Sequence, residues 1–248
     1  MKYSKLYLYL LLPFISIFPD NIHNQPLTKK YAPTTPCNLR TFNGFYLGPD
    51  VSLGAVYAVH KGSTNWTGGR GIINSTYSTS QFAAGVRLGY SHTFLNYLYG
   101  AIELSSHYLT NSMGYNNSGS YLDNTYFEKD DFSFNWQYGL NGHLGLLVKP
   151  STIVYLIGGL EYLPLNLTQS YRFTNGEQDS ITYHPNLLGG LVGLGMGINL
   201  GCHWEIRLES TQTFFQKFTC NDVHPPCIDF RTYKLRKALG TLSLIYRF

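Results

Sequence analysis

From Phe42 onward, apolar and polar residues alternate one by one through eight separate segments. Period two predicts β-strands whose two faces meet different surroundings. In the first segment Phe45, Leu47, Val51, Leu53, Ala55, Tyr57 and Val59 share one face. Tyr46, Gly48, Asp50, Ser52, Gly54 and His60 share the other. The second sets Phe82, Ala84, Val86, Leu88, Tyr90 and Phe94 against Gln81, Gly85, Arg87, Gly89 and Ser91. The third sets Leu98, Ile102, Leu104 and Tyr108 against Tyr99, Glu103, Ser105 and His107. The fourth runs unbroken from Phe132 through Phe134, Trp136, Tyr138, Leu140, Leu144 and Leu146 to Val148, opposed by Gln137, Asn141 and His143. The fifth to seventh place Leu156, Leu160 and Tyr162, then Leu188, Val192 and Ile198, then Trp204, Ile206 and Leu208 outward. Glu161, the alternate glycines of 189–197, and Glu205, Arg207 and Glu209 oppose them. The eighth sets Ala238, Leu242, Leu244, Tyr246 and Phe248 against Thr241, Ser243 and Arg247.

A soluble β-sandwich also alternates, but it turns charged residues to solvent. Here the polar face is Gly, Ser, Asn and Thr with isolated charges. Small residues suit a narrow interior where opposite walls meet, and bulky apolar residues suit lipid. The expected fold is therefore all-β: an eight-stranded antiparallel transmembrane up-and-down β-barrel over residues 42–248.

The connections alternate long and short. Short turns are expected at Leu95-Asn96, Lys149-Pro150-Ser151 and Gly201-Cys202. Long loops are expected over 60–79, 110–131, 166–184 and 216–230. Outer-membrane barrels have short periplasmic turns and long outer loops, so both ends of the barrel fall on the periplasmic side. Two aromatic girdles follow from the same registration. Tyr57, Phe82, Tyr108, Phe132, Phe134, Trp136, Tyr162 and Phe214 lie toward the outside; Phe45, Tyr90, Phe94, Trp204, Tyr246 and Phe248 lie toward the periplasm. Pro49 within the first strand predicts a bulge or local unpairing.

Composition supports this picture. Only 13% of the 248 residues are charged, about half the roughly 25% of soluble domains. Aromatics reach 16%, which excludes a disordered chain. The net charge of +4 belongs to the first 40 residues, since the remaining 13 bases and 13 acids cancel. A basic folded face for nucleic acid is thereby excluded. Lys2 and Lys5 followed by the apolar run Leu6 to Phe18 predict a secretory signal over 1–22, ending between 18 and 25. A Pro-rich periplasmic linker is expected over 23–41.

The opening Gly44-Phe45-Tyr46-Leu47-Gly48 and the closing Leu242-Ser243-Leu244-Ile245-Tyr246-Arg247-Phe248 resemble the first and last strands of a known family. It is the family of small eight-stranded bacterial outer-membrane barrels, of the opacity/surface-antigen and outer-membrane-protein-A transmembrane type. The resemblance implies that Tyr246 and Phe248 form an assembly signal read by the barrel assembly machinery. It implies no single activity, because the family includes adhesins, membrane anchors and proteins of no known activity.

Charges in the strands keep to the inner face. Arg87 and Arg207 are expected to bridge Glu103, Glu161 and Glu209 across the lumen rather than be separately hydrated, since eight strands leave no room for a continuous water column. In an oxidising compartment, Cys220 and Cys227 are expected to close the last outer loop by a disulfide. Cys37 and Cys202 share the periplasmic side, and a bridge between them would pin the linker to the barrel floor; two free thiols are the alternative. The scattered His residues build no catalytic arrangement, and the Phe-x-His-x-Ser-Asn stretch of a lipid A deacylase is absent. His224 with Cys220 and Cys227 matches no zinc spacing. No catalytic, metal or cofactor site is expected, and no enzymatic activity. The expected partners are outer-membrane lipid, lipopolysaccharide, the assembly machinery and a host or cell-surface ligand met by Tyr-, Asn-, Ser- and Gly-rich loops. A narrow channel and a lipid-modifying enzyme are the alternatives.

Overall fold

The computed structural model describes residues 42–248 apart from 67–68, 111, 122–123, 174–175, 177 and 225–226. The expected signal segment, the linker and Cys37 lie outside the described residues.

Among the described residues the chain forms thirteen strands. They are β1 (Gly44–Trp66), β2 (Gly69–Phe94), β3 (Leu98–Leu109), β4 (Met113–Tyr121), β5 (Asn124–Ser133), β6 (Trp136–Lys149) and β7 (Thr152–Pro164), followed by β8 (Asn166–Phe173), β9 (Gln178–Tyr183), β10 (Asn186–Asn199), β11 (Trp204–Phe215), β12 (Phe218–His224) and β13 (Cys227–Arg247). Eight of them close a ring in the order β1-β2-β3-β6-β7-β10-β11-β13, with β13 returning to pair antiparallel with β1. Closure leaves no strand edge in the ring, so every backbone group can be satisfied without water.

The turns at the periplasmic end are short. Leu95 and Asn96 both have positive φ, 52° and 63°, and Tyr97 N–H donates to Phe94 O at 3.2 Å. This is the type I′ geometry whose twist matches a hairpin. Pro49 leaves the ladder locally unpaired. The pairing with β13 passes from Leu47↔Tyr246 to Asp50↔Ser243 without a change of register, so no bulge forms. Gly48 allows the close approach there: a Cβ would lie 2.1 Å from Leu244 O.

Alternation sorts the side chains as expected along most of the ring. Leu53, Val86, Ile102, Leu140, Leu156, Val192 and Leu242 are exposed on the outside, while Tyr46, Asp50, Arg87, Glu103 and Arg207 are buried inside. The exposed apolar residues form a continuous belt. Ten residues separate Trp204 from Phe214 at its two margins. At about 3.4 Å per residue and a tilt near 40°, that is about 26 Å, the height of a hydrocarbon core crossed by a barrel.

The aromatic margins are specific. Phe45 and Tyr90 meet at 5.0 Å, and Trp204 and Tyr246 at 5.1 Å, on the periplasmic side. Tyr108 and Trp136 meet at 5.4 Å on the outer side. Phe132 and Phe134 are a correction: both are buried inside, not in the outer girdle. β5 stops at Ser133 and β6 starts at Trp136, so two irregular residues reverse the phase of the alternation.

The long connections are also corrected. They are mostly strand, not loop. β1 and β2 stay paired to Trp66↔Gly69. β4, β5, β8 and β9 form a separate four-stranded sheet in that order. β12 pairs with β13 after an extra residue on its side, between Phe214↔Arg236 and Phe218↔Tyr233. That register places Cys220 opposite Arg231 and Cys227 opposite His224. Their Cα atoms are then about 13 Å apart along the ladder, beyond the roughly 7 Å reach of a disulfide. The expected Cys220–Cys227 bridge is not compatible with this pairing.

Candidate functional site

The interior is built in layers. At the periplasmic end Phe42, Tyr99, Ala101 and Ile153 pack into an apolar floor, and Tyr155, Ile157 and Leu191 continue the same cluster up one wall beside the charges. Phe42 meets Tyr99 edge-on at 6.1 Å, and the Arg247 guanidinium lies 5.5 Å from the Phe42 ring.

Above the floor is a belt of charge. Arg87 Nε reaches Asp50 at 2.8 Å, and its Nη1 reaches Glu209 at 2.8 Å and Glu103 at 3.2 Å. Arg207 Nη1 reaches Glu103 at 3.0 Å, and its Nε reaches Glu205 at 2.8 Å. Arg247 Nη2 meets Glu205 at 2.5 Å, and its Nη1 donates to Ser91 Oγ at 2.6 Å. Two tyrosines add donors to this belt. Tyr46 donates to Glu103 at 3.0 Å and Tyr155 to Glu209 at 2.7 Å. His107 Nε2 stands 3.0 Å from Asp50, and His143 stacks on Tyr155 at 4.9 Å. These side chains come from seven of the ring strands, β1, β2, β3, β6, β7, β11 and β13, and meet inside because each occupies an inward position of the alternation.

Glu161 does not join the arginines. It receives Lys237 Nζ at 2.7 Å and Gln137 Nε2 at 2.7 Å, one layer further out. The structure thus brings Arg87, Glu103, Arg207 and Glu209 together and sets Glu161 apart. Lys237 was the missed partner. Its odd position, in phase with Thr241, Ser243 and Arg247, carried the signal.

A second apolar core lies beyond this layer. Val56, Ala58, Leu109, Met113, Phe132, Phe134, Leu163, Leu165, Leu167, Leu187, Phe215 and Leu235 bury one another there. It sits under a polar cluster that no sequence motif announces. Tyr233 donates to Asp130 at 2.9 Å, and Gln169 donates to the Tyr233 hydroxyl at 3.0 Å. Arg231 pairs with Glu128, and also lies 3.6 Å from Asp130. His60 stacks on Tyr233 at 4.7 Å, and Tyr77 stacks on Tyr115 at 4.8 Å. These residues stand above the outer girdle. Burial and the Arg231 guanidinium push the His60 imidazole down to about 4.

Each acid of the charge belt is matched by at least one base, some across the lumen and Glu205 by Arg207 of its own strand and Arg247 of the next. Among the described residues no group of three His, Cys, Asp or Glu side chains is placed to hold a metal ion. The histidines are dispersed, with His92 near a periplasmic turn and exposed, and His107 and His143 buried in the charge belt. Tyr246 and Phe248 lie at the periplasmic margin, 5.3 Å apart, and Phe248 N–H donates to Phe45 O at 3.1 Å. Cys202 lies, partly buried, in the turn between β10 and β11, and its expected partner Cys37 is outside the described residues.

A closed antiparallel ring of eight strands, apolar outside and charge-paired inside, is an outer-membrane β-barrel. No family model matches the chain, and no curated protein does. Solved structures are similar to it at low identity. One is the attachment invasion locus protein Ail of Yersinia pestis, in complex with the heparin analogue sucrose octasulfate, at 13% identity and TM-score 0.36, covering 81% of this chain and 99% of that one. The outer membrane protein OprG of Pseudomonas aeruginosa is similar at 12% identity and TM-score 0.43, covering 83% of this chain and 97% of that one. Neisserial surface protein A is similar at 12% identity and TM-score 0.39, again covering 83% and 97%. The fold assignment rests on the closed strand circuit itself.

Proposed function

We propose that this chain is a sealed outer-membrane barrel that works at its outer surface, as a structural or adhesin-like protein. One observation carries the reading. The lumen is filled from the floor of Phe42 and Tyr99, through the arginine belt, to the Phe132 core, while the strands continue past the lipid belt as a polar β-platform. A filled lumen favours display over transport. The platform offers paired strands rather than loose loops, and its exposed face includes Phe127, Lys129, Arg172 and Asp179. Rigid surfaces bind with less ordering cost than loops do. The ligand class is a host or cell-surface molecule, with lipopolysaccharide around the barrel and the assembly machinery recognising Tyr246 and Phe248. Residues 1–22 serve as the export signal and 23–41 as the periplasmic linker.

The test joins two measurements. Cells displaying the full chain bind host cells, and shortening the platform by deleting the paired tips of β4–β5 and β8–β9 abolishes binding while the barrel still migrates faster before boiling than after. In planar bilayers the purified chain gives no porin-scale conductance. Large, steady conductance would establish the channel reading instead.

A further inference from the structure

The outside of the barrel is not electrically uniform at its outer margin. Lys234 and Arg236 alternate outward on β13, opposite Val59 and Tyr57 of β1. Lys61 faces Thr232, one diagonal step from Lys234, and diagonal partners lie about 7–8 Å apart. Lys217 is exposed in the bulge between β11 and β12, beside the same stretch of β13. Among the described residues no carboxylate pairs with any of these four. At the same height around the ring the outward residues are Phe82, Tyr108, Trp136, Tyr162 and Leu188, all uncharged. Higher on the platform, Lys129 is already matched by Asp131 at 2.6 Å.

The surface directly below the four cations is also distinctive. Ala55, Ala238, Gly240 and Ser210 adjoin one another across β1, β13 and β11 and face outward. Side chains this small, bordered by Leu53 and Gln212 and below by Leu242 and Leu208, make a shallow furrow at the top of the apolar belt. The chain's own packing does not demand the smallest of them, because a Cβ at Gly240 would meet nothing nearer than 3.8 Å. Phe214 carries the Arg236 guanidinium at 5.6 Å, at the level where headgroups begin.

We propose that this face is a binding site for a lipid with a phosphorylated headgroup in the outer leaflet, its phosphates held by Lys61, Lys217, Lys234 and Arg236 and an acyl chain lying in the furrow. The proposal rests on the outer-membrane orientation above. Unpaired cations at a bilayer surface attract anionic lipid by about 1 kcal/mol each, and the furrow is continuous with the surface that lipid already covers.

The experiment uses the full chain in detergent or nanodiscs and reads retained lipid by native mass spectrometry. The probes are diphosphorylated lipid A, the same lipid dephosphorylated, and phosphatidylcholine. The chain retains the diphosphorylated lipid at least about ten-fold better than either of the others. The combined variant Lys61→Gln, Lys217→Gln, Lys234→Gln, Arg236→Gln loses that preference, Gly240→Leu weakens retention several-fold with all charges in place, and Lys129→Gln with Arg172→Gln changes nothing. Equal retention by the four-fold variant, or of the dephosphorylated lipid, overturns the site. So does displacement by excess pyrophosphate or by a soluble sulfated polysaccharide, which would make the cations a site for free anions. Each variant is first checked for the mobility shift on heating. A chain that closes but retains no lipid overturns this site alone, whereas a chain that inserts in no bilayer overturns the orientation on which it rests.

Discussion

Arg207 shows what a single residue can be asked to hold. It is fully buried and reaches Glu103 and Glu205, with the Tyr46 ring 4.3 Å from its guanidinium carbon. Arg207→Leu leaves Glu103 to Arg87 and Glu205 to Arg247, and breaking the two buried pairs it made costs about 3–5 kcal/mol. Urea unfolding in lipid vesicles reads it, with Arg207→Lys intermediate because an ammonium keeps charge without the planar fork. His60 makes a pH prediction. Folded, it titrates near 4, below its ordinary 6.5. Above 6.5 neither folded nor unfolded chain carries the proton; between 6.5 and 4 only the unfolded chain takes it up. Platform stability therefore falls as pH drops through that window and levels off below it. Hydrogen exchange of the β1–β2 tip reads the fall, and His60→Phe removes this share of it. The sequence showed which charges face inward, since parity alone decides that. It could not show partner choice. Glu161 takes Lys237 rather than an arginine because the strand stagger fixes height, and height is invisible until register is known.

At the scale of the strand, legibility followed the solvent. Where one face meets lipid and the other a crowded lumen, the contrast between faces is large, and the eight ring strands could be read from alternation. Above the lipid both faces are polar or mixed. The stretch Tyr115-Asn116-Asn117-Ser118 therefore reads as loop but pairs as β4 with β5. The slip between Phe134 and Trp136 was hidden for a related reason, because two apolar residues of equal parity look continuous. The outward belt supports a direct test. Leu140 sits near the middle of β6 on the lipid face, and Leu140→Arg costs about 2–4 kcal/mol there. Asn135→Arg, at an exposed position above the belt, costs far less; vesicle-based unfolding compares them. The β12–β13 ladder sets a chemical expectation. With Cys220 and Cys227 four positions out of register, the oxidised chain differs from the reduced one by two protons, through a Cys37–Cys202 bridge. A peptide map reads that pair, and a four-proton difference would require β12 and β13 to slip.

As a whole, the molecule carries two stabilising environments, one around the ring and one in the platform above it. Below the outer girdle the outside is held by lipid and the inside by ion pairs. Above it the strands enclose their own apolar core of Phe132, Phe134, Leu165 and Phe215. Exchanging detergent for lipid should therefore change the stability of the ring more than that of the platform, read as separate transitions in thermal unfolding. The ladder between β1 and β13 has a further consequence, for the history of the chain rather than its resting state. These two strands are the most distant in sequence, yet they are neighbours, so no shorter chain can rehearse the ring. Removing β13 bares the edges of β1 and β11 together and withdraws Lys237 and Arg247 from their carboxylates. β13 acts as a latch: a chain interrupted before it is left an open, sticky ribbon, with every earlier strand made and none of them closed.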